Sequence, residues 1–339
     1  MSGFNVAIVG ATGAVGEALI SILEQRDFPV NQLFALASER SAGSTVMFRN
    51  KPVTVENLAD FDFSQAQIGL FSAGGSISAE FAPKAAEKGC IVVDNTSHFR
   101  YQEDIPLVVP EVNPERIADY TNHNIIANPN CSTIQMLVAL KPIYDAVGIN
   151  RISVATYQAV SGTGKPAIEE LARQTAELLN GRDAECEVYP KQIAFNALPH
   201  IDSFMDNGYT REEMKMVWET QKIFGDDSVK VSATCVRIPV FYGHSEAVQI
   251  ETGALLSEEM ARELLSKAPG VTLIDTREDG GYPTAVTDSA GQDAVFVGRI
   301  RQDISLVNGL NLWVVSDNVR KGAALNSIQI AEELIKSYL

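Results

Sequence analysis

Basic charge is in short supply in this chain. Lys and Arg number 27 against 43 Asp and Glu, a formal net charge of -16 at pH 7. Such a protein repels phosphate backbones, which argues against a nucleic-acid partner, although a few local cations can still hold a small anionic substrate. Cysteine is scarce too: Cys90, Cys131, Cys186 and Cys235 are the whole complement. Their spacing makes no metal-ligand pattern and no disulfide framework, so no metal is expected and a reducing, cytoplasmic setting fits better than a secreted one. No apolar run is long enough to span a bilayer, so no membrane role is expected. The first residues run straight into a strand-like stretch, without a basic segment ahead of a cleavage site. Tandem repeats and low-complexity tracts are absent as well.

What remains is an ordinary globular composition, 45% hydrophobic and 21% charged over 339 residues. That length exceeds a comfortable single core and implies two domains. The stretch Asn128-Pro129-Asn130-Cys131-Ser132-Thr133 stands directly ahead of the apolar run 134–140. Pro129 and Asn130 favour a turn, and Asn, Ser or Thr can cap a helix start. Cys131 would then sit at or beside a helix N-terminus, whose partial positive charge favours thiolate and makes the sulfur nucleophilic. The plainer alternative is a small buried core cysteine.

The first third alternates strands and helices. Asn5–Val9 is a buried-strand run leading into Gly10-Ala11-Thr12-Gly13-Ala14-Val15-Gly16 and a helical stretch over 17–23. A glycine-rich turn between strand and helix brings backbone N–H groups against a pyrophosphate. The spacing is GxxGxxG, and the strand-turn-helix context supports it over a tight turn without a ligand. A second strand over 33–37 ends at Ser38-Glu39-Arg40-Ser41. An acidic residue there would bind a ribose 2′-hydroxyl, an Arg a 2′-phosphate. Arg40 and Ser41 facing the ligand imply NADP; otherwise Arg40 is solvated loop charge. Strands at 68–71 and 91–94 flank a helix over 80–89, the pattern of a parallel, doubly wound sheet. Ser72-Ala73-Gly74-Gly75-Ser76 and Asn95-Thr96-Ser97-His98-Phe99-Arg100 follow strand ends, where such sheets bind ligands. Arg100 is either an anion clamp or a surface residue.

Beyond the Cys131 helix the pattern changes. A long alternating strand over 152–160, typical of antiparallel sheet, ends in Ser161-Gly162-Thr163-Gly164-Lys165-Pro166, followed by a helix over 167–179. Strands are expected at 229–239, 246–251 and 310–315, with a closing helix over 319–339. The second domain is therefore α+β, with a larger, partly antiparallel sheet whose open face a second subunit could cover. The expected division is 1–132 plus 319–339 for nucleotide binding and 133–318 for catalysis and dimerisation. Glu212 and Lys215 share a helix face at i, i+3, alone no more than a solvated ion pair. His244 follows Gly243 in a turn between two strands, a placement that suits acid/base work but also a surface or capping histidine.

With these residues laid out, the chain resembles the aspartate-β-semialdehyde dehydrogenase family over nearly its full length. The matching residues are Gly10 through Gly16, Asn128 through Thr133, Gln158 ahead of Ser161-Gly162, Glu212-Glu213-Met214-Lys215, and Arg237 through His244. The resemblance implies reduction of β-aspartyl phosphate to aspartate semialdehyde with NADPH, on the route to lysine, threonine and methionine, by a homodimer. It implies Cys131 as the acyl-thioester nucleophile, His244 as acid/base and Gln158 as a substrate-positioning residue. It places the substrate carboxylate on Arg237, phosphate on Arg100 and Lys215, and the substrate amine on Glu212, with Asn130 as a further substrate-binding residue. Cofactor contacts fall on Gly10, Thr12, Gly13, Ala14, Val15, Arg40, Ser41, Ser161, Gly162 and Asn318. Val240-Phe241-Tyr242-Gly243 is less polar than the family's usual version of that run.

Two related reductases share this fold and chemistry. N-acetyl-glutamyl-phosphate reductase usually has Gly before its cysteine, where this chain has Asn130. Glyceraldehyde-phosphate dehydrogenase carries a different Ser-Cys-Thr-Thr-type stretch. A non-catalytic NADP-binding regulator would keep the glycine turn but need neither Cys131 nor His244.

Overall fold

The computed structural model describes residues 3–339. The chain forms two compact units, residues 1–129 with 323–339, and residues 130–322. Asn130 and Cys131 thus belong to the second unit.

The first unit begins with β1 (Phe4–Val9), α1 (Ala14–Gln25) and β2 (Val30–Ala37). There follow β3 (Thr45–Phe48), β4 (Lys51–Asn57), β5 (Ile68–Phe71), α2 (Gly75–Glu87), β6 (Ile91–Asp94) and β7 (Ile125–Ala127). The sheet order is β3-β4-β2-β1-β5-β6-β7, parallel except for the antiparallel edge strand β3. The order reverses between β1 and β5, the switch point outside which such sheets hold ligands. Buried aliphatics on β1, β2 and β5 form the core with Leu19, Ile22 and Leu23 of α1. Continuous apolar runs such as Val6–Val9 are what a strand covered on both faces requires.

The second unit contains α3 (Cys131–Val147), β8 (Ile149–Gln158), α4 (Lys165–Leu179), α5 (Arg211–Phe224) and β9 (Lys230–Arg237). It continues through β10 (His244–Thr252), α6 (Glu258–Ser266), β11 (Val271–Leu273), β12 (Val295–Gln302) and β13 (Gly309–Ser316). These strands form a six-stranded sheet in the order β11-β12-β13-β10-β8-β9. The sequence suggested antiparallel pairing for β8; in fact it is antiparallel to β10 and parallel to β9. Alternation reports one covered face, not strand direction, which explains the difference. Helix α3 packs on β8, β10 and β13. On the other face alternate residues Ser153, Ala155, Tyr157, Ala247 and Gln249 are half-buried or exposed.

The chain ends in the first unit with α7 (Leu325–Ser337), which packs against α1 and joins it through the Arg26–Glu332 ion pair at 2.7 Å. The expected closing helix over 319–339 is shorter at its start, where residues 320–324 form a wider π turn. Among the described residues no helix is long and apolar enough to cross a membrane.

The glycine turn after β1 closes on itself. Gly10 adopts φ +93°, its carbonyl accepts the Gly13 N–H at 3.0 Å, and Gly13 caps α1 without any side-chain hydrogen bond. A Cβ on Gly16 would lie 2.1 Å from the Gly10 carbonyl oxygen, so only glycine lets the helix approach the turn. Gly16→Ala must therefore push backbone apart. It should cost on the order of 1–3 kcal/mol and weaken dinucleotide binding, measured by thermal unfolding with and without nucleotide. An unchanged midpoint and unchanged binding would show that the close approach is dispensable.

Candidate active site

Cys131 is the first residue of α3, and Asn130 caps that helix. The Asn130 Oδ1 accepts the Ser132 and Thr133 N–H groups at 3.0 and 3.4 Å. Its own side-chain amide donates to Glu212 Oε1 at 2.9 Å, and its main-chain N–H to Glu219 Oε2 at 2.6 Å. An N-cap so fixed gives the cysteine a defined place at the positive end of the helix. Gly322 lies against it: a Cβ there would stand 2.7 Å from the Cys131 Cβ.

Glu212 is buried at the start of α5. Besides Asn130 it accepts the Gln158 amide at 3.1 Å and Lys215 Nζ at 2.9 Å. Burial works against its ionisation, but the charge and hydrogen bond of Lys215, with those from Gln158 and Asn130, outweigh that and hold its carboxyl at about 2. Lys215 also bonds Asp202 at 2.8 Å. Burial lowers the Lys215 pKa, but Glu212 and Asp202 more than offset it and raise it. The Glu212–Lys215 pair expected at i, i+3 is thus present, but it is buried rather than solvated.

Sheet register assembles the other groups. Arg237 at the end of β9 pairs with Gln158 at the end of β8, and the Ser245–Tyr157 pairing beside them brings His244 next to Gln158. Arg237, Gln158 and His244 therefore form one row on the face that carries α3. His244 opens β10 instead of sitting in the turn expected for it, and it is fully buried. The turn is Gly243, at φ +89°. The His244 Nδ1 accepts the Ala159 N–H at 3.0 Å, which places the proton of the neutral ring on Nε2. Burial and the neighbouring Arg237 charge lower its pKa to about 3. Arg237 donates to the Ala159 carbonyl at 2.6 Å. Gln158 Oε1, Arg237 Nε and His244 Nε2 are buried and have no partner within the protein.

Ser161 and Gly162 follow in a short 3-10 turn. A Cβ on Gly162 would come 3.0 Å from Arg237 Nη1 and 3.5 Å from His244 Nε2, so this glycine leaves both groups room. Asn318 bonds the Ser161 hydroxyl through its amide at 3.0 Å and accepts the Gly243 N–H at 2.9 Å. Its carboxamide thus ties together the two loops flanking the row.

In the first unit, Gly10, Thr12, Gly13, Ala14 and Val15 form the turn and start of α1. Arg40 is exposed beyond β2 in a 3-10 turn with Ser41. Arg100 is buried and donates to the Asn95 carbonyl at 2.9 Å.

Residues 5–120 match the NAD binding domain of semialdehyde dehydrogenases and residues 140–321 their dimerisation domain. The chain is 66% identical over 335 residues to the aspartate-semialdehyde dehydrogenase of Shewanella violacea, covering 99% of this chain and 98% of that one. It belongs to the aspartate-semialdehyde dehydrogenase family. A crystal structure of aspartate semialdehyde dehydrogenase II from Vibrio cholerae, complexed with ASA, superposes with a TM-score of 0.98 at 62% identity over all of both chains. The Candida albicans enzyme with NADP gives a TM-score of 0.77 at 26% identity, covering 98% of this chain and 99% of that one.

Four contributors escaped the sequence reading of this dehydrogenase. They are Glu219, Asp202, Gly322 and the Ala159 main chain, each brought in by tertiary packing. Only Glu219 left a trace, since it lies seven residues after Glu212 and hence on the same helix face.

His244 makes stability pH-dependent. The unfolded ring titrates near 6.5 and the folded one near 3. Between these values the unfolded chain binds a proton that the native one refuses. Stability from this residue is therefore complete above 6.5 and falls as pH drops toward 3. At pH 5 the loss is on the order of 2 kcal/mol. His244→Asn should flatten the fall in melting temperature between pH 7.5 and pH 5, read by scanning calorimetry. Identical slopes in the two proteins would place the acid-labile group elsewhere.

Proposed function

We propose that this chain reduces L-aspartyl 4-phosphate to L-aspartate 4-semialdehyde with NADPH, reversibly, through a thioester on Cys131, in lysine, threonine and methionine biosynthesis. The observation that carries this reading is the convergence, inside one unit, of a helix-capped cysteine with the Arg237–Gln158–His244 row and the Glu212–Lys215 pair.

The Cys131 thiolate attacks the acyl carbon, the carbon–oxygen bond to phosphate breaks, and inorganic phosphate leaves. This divides one difficult displacement into two easier steps. The nicotinamide, when bound, supplies the hydride. His244 Nε2–H, without a partner within the protein, serves as donor to the oxygen that becomes negative as the thioester carbon turns tetrahedral, and its burial strengthens that bond. Return of the oxygen's electron pair breaks the carbon–sulfur bond and frees aldehyde and thiolate. Gln158 Oε1 and Arg237 Nε are buried polar atoms that gain partners from a bound substrate. Arg237 suits the planar carboxylate, Lys215 and Arg100 the phosphate, and Glu212 the ammonium group.

For the cofactor, the turn from Gly10 to Val15 fits a pyrophosphate, because Gly13 leaves the α1 N-terminus free of any side-chain cap. Arg40 and Ser41, past the end of β2, suit a 2′-phosphate, hence NADP; the Candida albicans relative is described with NADP. Ser161, Gly162 and Asn318 complete the cofactor side. We place the enzyme in the cytoplasm as a homodimer, formed on the half-exposed sheet face that carries Ser153, Ala155, Ala247 and Gln249. The first unit then serves nucleotide binding, and the second catalysis and dimerisation.

Cys131→Ala should abolish phosphate-dependent NADP reduction by aspartate semialdehyde while leaving NADP binding nearly intact. Turnover within about tenfold of wild type would rule out the covalent route. Lys215→Ala should raise the KM for phosphate more than that for semialdehyde, and Arg237→Ala the reverse, with losses of roughly 2–5 kcal/mol for a charged hydrogen bond. Paired saturation curves distinguish the two; equal weakening of both substrates in both variants would mean that the anions share one clamp.

A further inference from the structure

Glu219 takes no part in the chemistry above, yet its carboxylate reaches the nucleophile's helix. It is fully buried, on the same face of α5 as Glu212. The two carboxylates grip one residue. Glu212 takes the Asn130 side-chain amide at 2.9 Å and Glu219 takes the Asn130 main-chain N–H at 2.6 Å. The remaining side-chain oxygen of Asn130 caps α3. Its main-chain carbonyl accepts the Ile134 N–H at 2.9 Å, so all four polar groups of the residue before Cys131 are committed. Without Glu219 a buried backbone donor would lose its partner, an arrangement that folded proteins rarely tolerate.

The contact has an electrostatic side. A carboxylate at a helix N-terminus is stabilised by the helix dipole, and so is a thiolate at the first helical residue. Glu219 bonds the residue just before Cys131, so its carboxylate and the Cys131 sulfur both meet one positive helix end. A negative charge fixed at that helix end opposes ionisation of the thiol. Acylation removes the charge from sulfur and with it the repulsion. A thiolate held at higher basicity is also intrinsically the stronger nucleophile.

We propose that Glu219 is a positioning residue for the reaction, fixing the Asn130 main chain and tuning the Cys131 thiol through the shared helix terminus. This rests on the reading of Cys131 as nucleophile. Other charged or titratable groups on the elements around them include Glu212, Glu213 and Lys215 of α5, Arg237 of β9, the neutral His244 of β10 and Lys321 next to Gly322. Substituting Glu219 leaves all of them in place.

The test is the pH dependence of Cys131 alkylation by iodoacetamide, with the Cys131→Ala protein as blank, beside steady-state kinetics. Glu219→Gln keeps an acceptor for the Asn130 N–H and removes the charge. Its alkylation midpoint should fall by on the order of one pH unit, with KM within about twofold of wild type. Glu219→Asp keeps the charge and withdraws it by one methylene. Its midpoint should stay near wild type while kcat falls at least about fivefold, because Asn130 loses its hold. If Glu219→Gln does not fold, as judged by circular dichroism, the Glu219→Asp result decides. A wild-type midpoint in folded Glu219→Gln, or wild-type kcat in Glu219→Asp, overturns the proposal. A Cys131→Ala protein that keeps both turnover and the fast-labelling thiol overturns instead the nucleophile assignment beneath it.

Discussion

A charge taken out of water must be surrounded by donors, and Glu212 is where that requirement organises the second unit. Its carboxylate is buried, and the desolvation it has suffered would protonate it in isolation. Asn130, Gln158 and Lys215 each bring a donor to it, from α3, β8 and α5. To satisfy one carboxylate, the fold must therefore bring the residue before the nucleophile, the end of β8 and a lysine to one point. The reactive arrangement and the solution to a burial problem are the same set of contacts.

Glu246 shows the opposite outcome on the same sheet. It lies two residues after His244 on β10, paired with Thr156 of β8, and is equally buried. Among the described residues no donor reaches either of its oxygens, and burial raises its pKa well above the usual carboxylate range. The opposite shifts of Glu212 and Glu246 follow from the lysine and amide donors around the first and their absence around the second, not from any difference in the acid. His244 stays neutral for a related reason: burial and the adjacent Arg237 both oppose a second positive charge.

Glycines set the clearances around these charged groups. Gly16 allows α1 to touch the Gly10 carbonyl, Gly162 leaves room for Arg237 and His244, and Gly322 lies directly against Cys131. Each marks a place where two backbones, or a backbone and a functional side chain, approach more closely than a Cβ permits. Gly10 and Gly243 combine such a close approach with a positive φ.

The sequence by itself determined what depends on short-range order. Apolar runs placed β1, β5 and β6, the cap at Asn130 placed Cys131 on the first turn of α3, and the glycine spacing announced the turn after β1. The motifs also identified the family, because residue types at fixed separations survive without knowledge of the fold. Several elements left weaker local marks: the edge strand β3 and its neighbour β4, the strands β11 and β12, and helix α6 are short or lack a clean period. Tertiary structure alone decided the pairing of β8 with both a parallel and an antiparallel neighbour, the row of Arg237, Gln158 and His244, the tautomer of His244, and the part played by Glu219. The physical reason is common to all four. Register, burial and desolvation are properties of groups far apart in the chain, and a side chain's charge state or hydrogen-bond partner exists only once those groups have met.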